Sequence, residues 1–228
     1  MPLAATAAAS GPPAAALPRS GPILDLVPFR AAPLCVDPYP FVITQGCIRE
    51  DALPALRRDF PKLRQTGFHP VEAFTPEGAF AALLDELEGP DLADAMSEKL
   101  GVDLRPLPRL VTIRRVSAAH EGRPHTDGAS KVATFLLYLH QGWSSPEGRL
   151  RILRSPDLAD WVAEISPEEG NALGFLRSEH SWHGHTPYVG ERRVVQLAWL
   201  RDAESIARKK RRHGVSRFFK TALGWMGL

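Results

Sequence analysis

From residue 110 to residue 200 the chain is written in short β-branched or aromatic runs, at 110–116, 132–139, 150–153, 172–176 and 193–200. Clusters of Gly, Pro and Ser separate them, which is a pattern of strands joined by turns. Helical signals come before these runs and not between them. Residues 51–59 read as a short helix stopped at Pro61, Thr75-Pro76-Glu77 as an N-cap with a first-turn proline, and 91–100 as a helix ending on Gly101. Helices first and then consecutive strands argue against an alternating parallel sheet. They predict a mainly β, α+β fold with flanking helices around a double-stranded β-helix, or jelly roll.

The chain has 228 residues, 44% of them hydrophobic, and a formal net charge of +2, as expected for an ordinary globular protein. One domain is expected over 23–205, with helical support at about 48–101 and the jelly-roll core at about 108–201. Residues 1–22 are nearly all Ala, Pro, Gly and Ser and have too little bulky apolar surface to offset ordering, so a disordered leader is expected there. Pro2, Pro12, Pro13 and Pro18 interrupt any signal-peptide core, and no segment reaches membrane-spanning length. Two cysteines, Cys35 and Cys47, do not indicate a disulfide framework, and a reducing, cytoplasmic setting is the expectation.

Residues 206–228 form a basic amphipathic tail. After the run Arg208-Lys209-Lys210-Arg211-Arg212, an apolar stripe of Val215, Phe218, Phe219, Ala222, Trp225 and Met226 recurs at helical spacing. The favoured reading packs the stripe on the barrel or on a second subunit in a homo-oligomer. The competing one lays it peripherally on the inner membrane surface. Nucleic-acid binding is disfavoured, because no recognition module accompanies the run.

His125-Thr126-Asp127 puts two metal-ligand side chains two residues apart, on one face of an extended segment. By itself that pattern is common and more often marks a solvated turn. A third candidate, His183, lies far downstream in Ser181-Trp182-His183-Gly184-His185-Thr186-Pro187, just before the last strand. Two His and one carboxylate make a facial triad, which leaves three open positions on an octahedral iron(II). An oxygenase built this way needs a fixed cation for the far carboxylate of 2-oxoglutarate, and Arg192 and Arg193 follow at nine and ten residues.

On these residues, from 110 to 200, the chain resembles the 2-oxoglutarate/iron(II) dioxygenase superfamily, in particular its prolyl hydroxylase-like branch. The resemblance implies iron(II) held by His125, Asp127 and His183, with 2-oxoglutarate and O2 as cosubstrates. It also implies a carboxylate-binding arginine on the last core strand. Thr134-Phe135-Leu136-Leu137-Tyr138-Leu139 followed by Trp143 resembles the strand whose tyrosine assists that arginine, which gives the role to Tyr138. Arg192 is preferred to Arg193 because its face carries Val194, Gln196 and Ala198, whereas Arg193 shares a face with Val195, Leu197 and Trp199. Arg193 stays as the alternative.

The resemblance implies a hydroxylase whose primary substrate, whether small molecule, sugar, lipid or peptide, the residues do not name; the loops at 128–131 and 141–147 are its candidate recognition segments. Two rivals are a catalytically silent jelly-roll binding protein and a cupin-type isomerase or lyase. The arginine pair and the wide separation of the ligands weigh against both. His185 would share the face of His183 and line the pocket or support the metal, and His180 is expected at a surface turn. His69, His120, His140 and His213 are given no function. Trp143, Trp161 and Trp199 are expected to pack, Trp182 to adjoin the site, and Lys131 to be solvated.

Overall fold

The structure, a computed structural model, describes residues 21–204. The expected leader at 1–22 therefore falls almost wholly outside the described residues, as do the basic tail and His213. The helices are α1 (Val27–Ala31), α2 (Leu53–Asp59), α3 (Gly78–Glu88) and α4 (Pro90–Leu100). The strands are β1 (Phe41–Thr44), β2 (His69–Pro70), β3 (Arg109–Ser117), β4 (Lys131–Tyr138), β5 (Leu150–Leu153), β6 (Trp161–Ile165), β7 (Ala172–Leu176), β8 (His183–His185) and β9 (Gly190–Leu200). No described helix is long and apolar enough to cross a membrane.

The strands form a six-stranded sheet in the order β1-β7-β4-β9-β3-β2 and a three-stranded sheet in the order β6-β5-β8, and every named pairing is antiparallel. This is the mainly β, jelly-roll arrangement with helices on one side; the two sheets do not close into a barrel. All five expected strands are present. Four others were not legible: β1 is too short to show alternation, β2 is only His-Pro, β6 carries an exposed tryptophan, and β8 is only His-Gly-His.

The large sheet uses its two faces for two cores. Val111, Ile113, Phe135, Leu137, Leu197 and Trp199 point to α3 and α4, where Phe80, Leu83, Leu87, Leu92 and Met96 are fully buried. The alternate residues Leu136, Tyr138, Leu173, Phe175 and Val194 meet Leu150, Ile152 and Ile165 of the small sheet. A strand reverses its face at each residue, so both faces being covered explains why β4 and β7 read as continuous apolar runs.

Among the helices, α1 was not expected, and one expected helix starts elsewhere. Thr75 and Pro76 lie outside α3, which begins at Gly78 with no side-chain cap from its own N-cap residue. The first free N–H, on Ala79, is instead taken by Asp59 Oδ2 at 2.8 Å, from the end of α2. A cap supplied across a helix pair leaves no local sequence signal. α4 ends as expected on Gly101, at φ +67°.

Gly174 of β7 lets α4 approach the sheet. A methyl group there would sit 2.6 Å from Met96 Sδ and 3.0 Å from Phe29. Gly174→Ala is expected to lower stability by about 1–3 kcal/mol through overpacking, read as a shift in the urea midpoint. An unchanged midpoint would mean that α4 is free to move off the sheet.

Candidate active site

Three segments build the site. The chain leaving β3 turns through Gly122, at φ +83°, and reaches His125, which forms an isolated antiparallel bridge with His183 at the start of β8. Each residue of that bridge donates its backbone N–H to the other's carbonyl at 3.0 Å. The exchange fixes the two imidazoles side by side, with ring centroids 4.4 Å apart. Asp127 follows just before β4. One ligand atom from each of His125, Asp127 and His183 can be chosen so that all lie within 4.8 Å of one another, the single such group among the described residues.

Each donor is prepared for a metal. His125 Nδ1 lies 2.9 Å from the Arg123 carbonyl and His183 Nδ1 lies 3.0 Å from the Ser181 carbonyl. A carbonyl only accepts, so both Nδ1 atoms carry the proton and both Nε2 lone pairs are available. Burial pushes the His183 imidazole down to about 4, against the pull of Asp127, so it is neutral at pH 7. For Asp127, burial works to raise the pKa. The Lys131 ammonium and the hydrogen bonds from Lys131 and Thr134 outweigh it and hold the carboxyl below the usual range. The set is therefore two imidazoles that present Nε2 and one carboxylate. Asp127 and His183 are buried and His125 is exposed, which opens the site on the His125 side.

Lys131 departs from expectation. It is 9% exposed rather than solvated, and its Nζ lies 2.6 Å from Asp127 Oδ1, while the Thr134 hydroxyl donates to Oδ2 at 2.6 Å. Each carboxylate oxygen retains a second lone pair, so these contacts orient Asp127 and do not exhaust it. Arg177 Nε further anchors the Asp127 carbonyl at 2.9 Å. Phe175 packs beside His183 with ring centroids 4.9 Å apart, and Tyr39 packs in turn on Phe175.

The two arginines separate by face. Arg193 points to the helices: it pairs with Glu191 at 2.5 Å, reaches the Arg57 carbonyl at 3.3 Å and lies over Phe60. Arg192 points between the sheets, 2% exposed, with its guanidinium carbon 5.3 Å from the Tyr138 ring centroid and Nε donating to the Gly148 carbonyl at 2.8 Å. Arg192 Nη2 and Tyr138 Oη are buried with no hydrogen-bond partner. Unsatisfied buried donors carry a desolvation cost that an anion arriving between them would relieve. The polar residues present thus fit both an iron(II) ion and the distal carboxylate of 2-oxoglutarate.

His185 is buried on the same side, with Nδ1 2.8 Å from the Thr186 carbonyl and Nε2 unpartnered. Its ring is covered by Gly122, where a methyl group would stand 2.2 Å away. His180 is exposed in a turn, as expected. Trp143 and Trp199 are buried, and Trp182 is half-buried with its carbonyl taking the Tyr39 hydroxyl at 2.9 Å. Trp161 does not pack in the core; it is 46% exposed, with Arg151 over its ring. The sequence reading missed Thr134, whose signal was its place on the same strand face as Tyr138, and Arg114, a charge on the inward face of a strand.

A jelly roll with a His-Asp-His cluster at one end and a buried arginine beside it defines a non-haem iron oxygenase architecture. Residues 111–201 match the family model of the 2OG-Fe(II) oxygenase superfamily. Its cofactor set is iron(II), 2-oxoglutarate and O2. The crystal structure of a Pseudomonas putida prolyl-4-hydroxylase aligns with a TM-score of 0.53 at 23% identity, covering 72% of this chain and 93% of that one. A 2OG-Fe(II) oxygenase-family oxidoreductase from Burkholderia pseudomallei aligns at 0.50 and 11% identity, covering 71% and 84%. Both likenesses concern the fold. No curated protein matches the chain by sequence.

Proposed function

We propose that this protein is an iron(II)- and 2-oxoglutarate-dependent hydroxylase, with His125, Asp127 and His183 as the metal ligands and Arg192 with Tyr138 as the receptor for the distal carboxylate of 2-oxoglutarate. The observation that carries the reading is the pairing of a proton-correct ligand cluster with buried, unpartnered cationic and phenolic donors in one inter-sheet space. When bound, the iron and its cosubstrates supply an oxidation that converts 2-oxoglutarate to succinate and CO2 and oxidises a second substrate.

The residues of the chain supply placement. The Arg123 and Ser181 carbonyls lock the two imidazoles in the tautomer that presents Nε2. Lys131 and Thr134 hold the Asp127 carboxylate from behind. Gly148 holds Arg192 through its Nε, leaving the outer edge of the guanidinium for the anion. Tyr39, Phe175 and Leu136 make the site apolar on its inner side, which restricts water. The primary substrate enters from the exposed His125 side, past the segments at 128–131 and 141–147. A peptide is one candidate class.

The test is an anaerobic titration of 2-oxoglutarate into purified protein with iron(II), following the visible metal-to-ligand charge-transfer band. A saturable band that His183→Ala abolishes is the expected result. No band under any condition would sink the assignment and leave a silent jelly-roll binding protein.

A further inference from the structure

Val194 of β9 is flanked on one side by Tyr138 of β4 and on the other by Arg114 of β3, each its direct cross-strand partner. Directly paired residues share a face, so Arg114 stands on the same inter-sheet face as Tyr138, with Arg192 one pleat further along β9. Arg114 is 8% exposed, and its Nε, like Arg192 Nη2 and Tyr138 Oη, is buried without a partner. Its guanidinium carbon rests 4.2 Å from the Phe68 ring centroid. The carboxylate facing it, Glu121, is 3.8 Å away, too far for a hydrogen bond, and spends its other oxygen on the Ala118 N–H at 3.0 Å. Burial pushes the Arg114 guanidinium down to about 10; Glu121 opposes that shift and Arg192 adds to it. Arg114 thus meets one carboxylate at ion-pair distance without a hydrogen bond, while its Nε has no partner and a second buried guanidinium stands nearby, a combination that an arriving anion would relieve.

We propose that Arg114 is a second anion-binding residue of this pocket, which receives the distal carboxylate of the 2-oxo diacid jointly with Arg192 and so makes the protein selective for a dicarboxylate over a monocarboxylate cosubstrate. This rests on the 2-oxoglutarate reading above. Arg114 replaces a single cation by a pair, and each guanidinium brings donors in a planar fork that matches a carboxylate.

The experiment titrates the iron(II)-loaded protein anaerobically with 2-oxoglutarate and with 2-oxopentanoate, which keeps the chelating end and lacks the distal carboxylate. Arg114→Met is expected to raise the dissociation constant for 2-oxoglutarate by about tenfold or more and to leave that for 2-oxopentanoate unchanged, with Arg114→Lys recovering part of the loss. Glu121→Gln, which removes the competing carboxylate, is expected to tighten 2-oxoglutarate binding several-fold, an effect of a sign that misfolding does not produce. Equal weakening of both acids by Arg114→Met, or no tightening by Glu121→Gln, overturns the proposal. A wild-type protein that binds 2-oxoglutarate with an affinity Arg114→Met leaves intact overturns this inference alone. A wild-type protein that gives no band with 2-oxoglutarate overturns it together with the reading it rests on.

Discussion

Asp127→Ala is expected to abolish iron(II) binding and also to destabilise the metal-free protein by about 3–5 kcal/mol, the usual cost of removing one member of a buried ion pair. The second effect follows from Lys131. Its side chain is 11% exposed, that of Asp127 6%, and the two are 2.6 Å apart. Alanine leaves the ammonium without an anion and the Thr134 hydroxyl without its acceptor. Urea unfolding of the metal-free variant measures the loss, and calorimetry with manganese(II) measures the metal affinity. The double variant Asp127→Ala/Lys131→Met should recover most of the stability and none of the metal binding, which separates the two roles. Wild-type stability in Asp127→Ala would show that Lys131 simply turns to solvent.

Arg192→Met is expected to weaken 2-oxoglutarate binding by roughly 10- to 150-fold, the equivalent of a charge-assisted hydrogen-bonded contact worth about 1.5–3 kcal/mol. Arg193→Met is the control. Arg193 lies on the opposite face of β9, against Phe60 and Glu191, so its loss is expected to cost folding stability and leave the dissociation constant nearly unchanged. Anaerobic titration of both variants decides. A larger effect at Arg193 would require a one-residue slip of β9, and that slip would also bury Gln196 among the helices in place of Leu197.

Sequence periodicity reached the face of β9 because both neighbours of that strand are long and the alternation of Val195, Leu197 and Trp199 is unbroken. It did not reach Lys131. A lysine at the start of a strand is ordinarily solvated, and only the folding of Asp127 back over that strand makes an ion pair the better state for it. Nor did it reach the cap of α3, because Asp59 is remote from Ala79 in the chain. Arg114 escaped for a related reason: a charge within a strand reads as an edge or solvent-facing residue until the second sheet is known to cover it.

Local order alone accounts for the helices that precede the five principal strands, for those strands, for the three candidate ligand residues at their spacing, and for the face on which Arg192 lies. These follow from backbone periodicity and side-chain chemistry, which act over a few residues. Only the tertiary structure decided that His183 stands beside His125, that both imidazoles donate Nδ1–H to carbonyls and present Nε2, and that Lys131 and Thr134 hold Asp127. The physical reason is that hydrogen-bond satisfaction and charge compensation are settled between groups distant in the chain, once packing has removed water from around them.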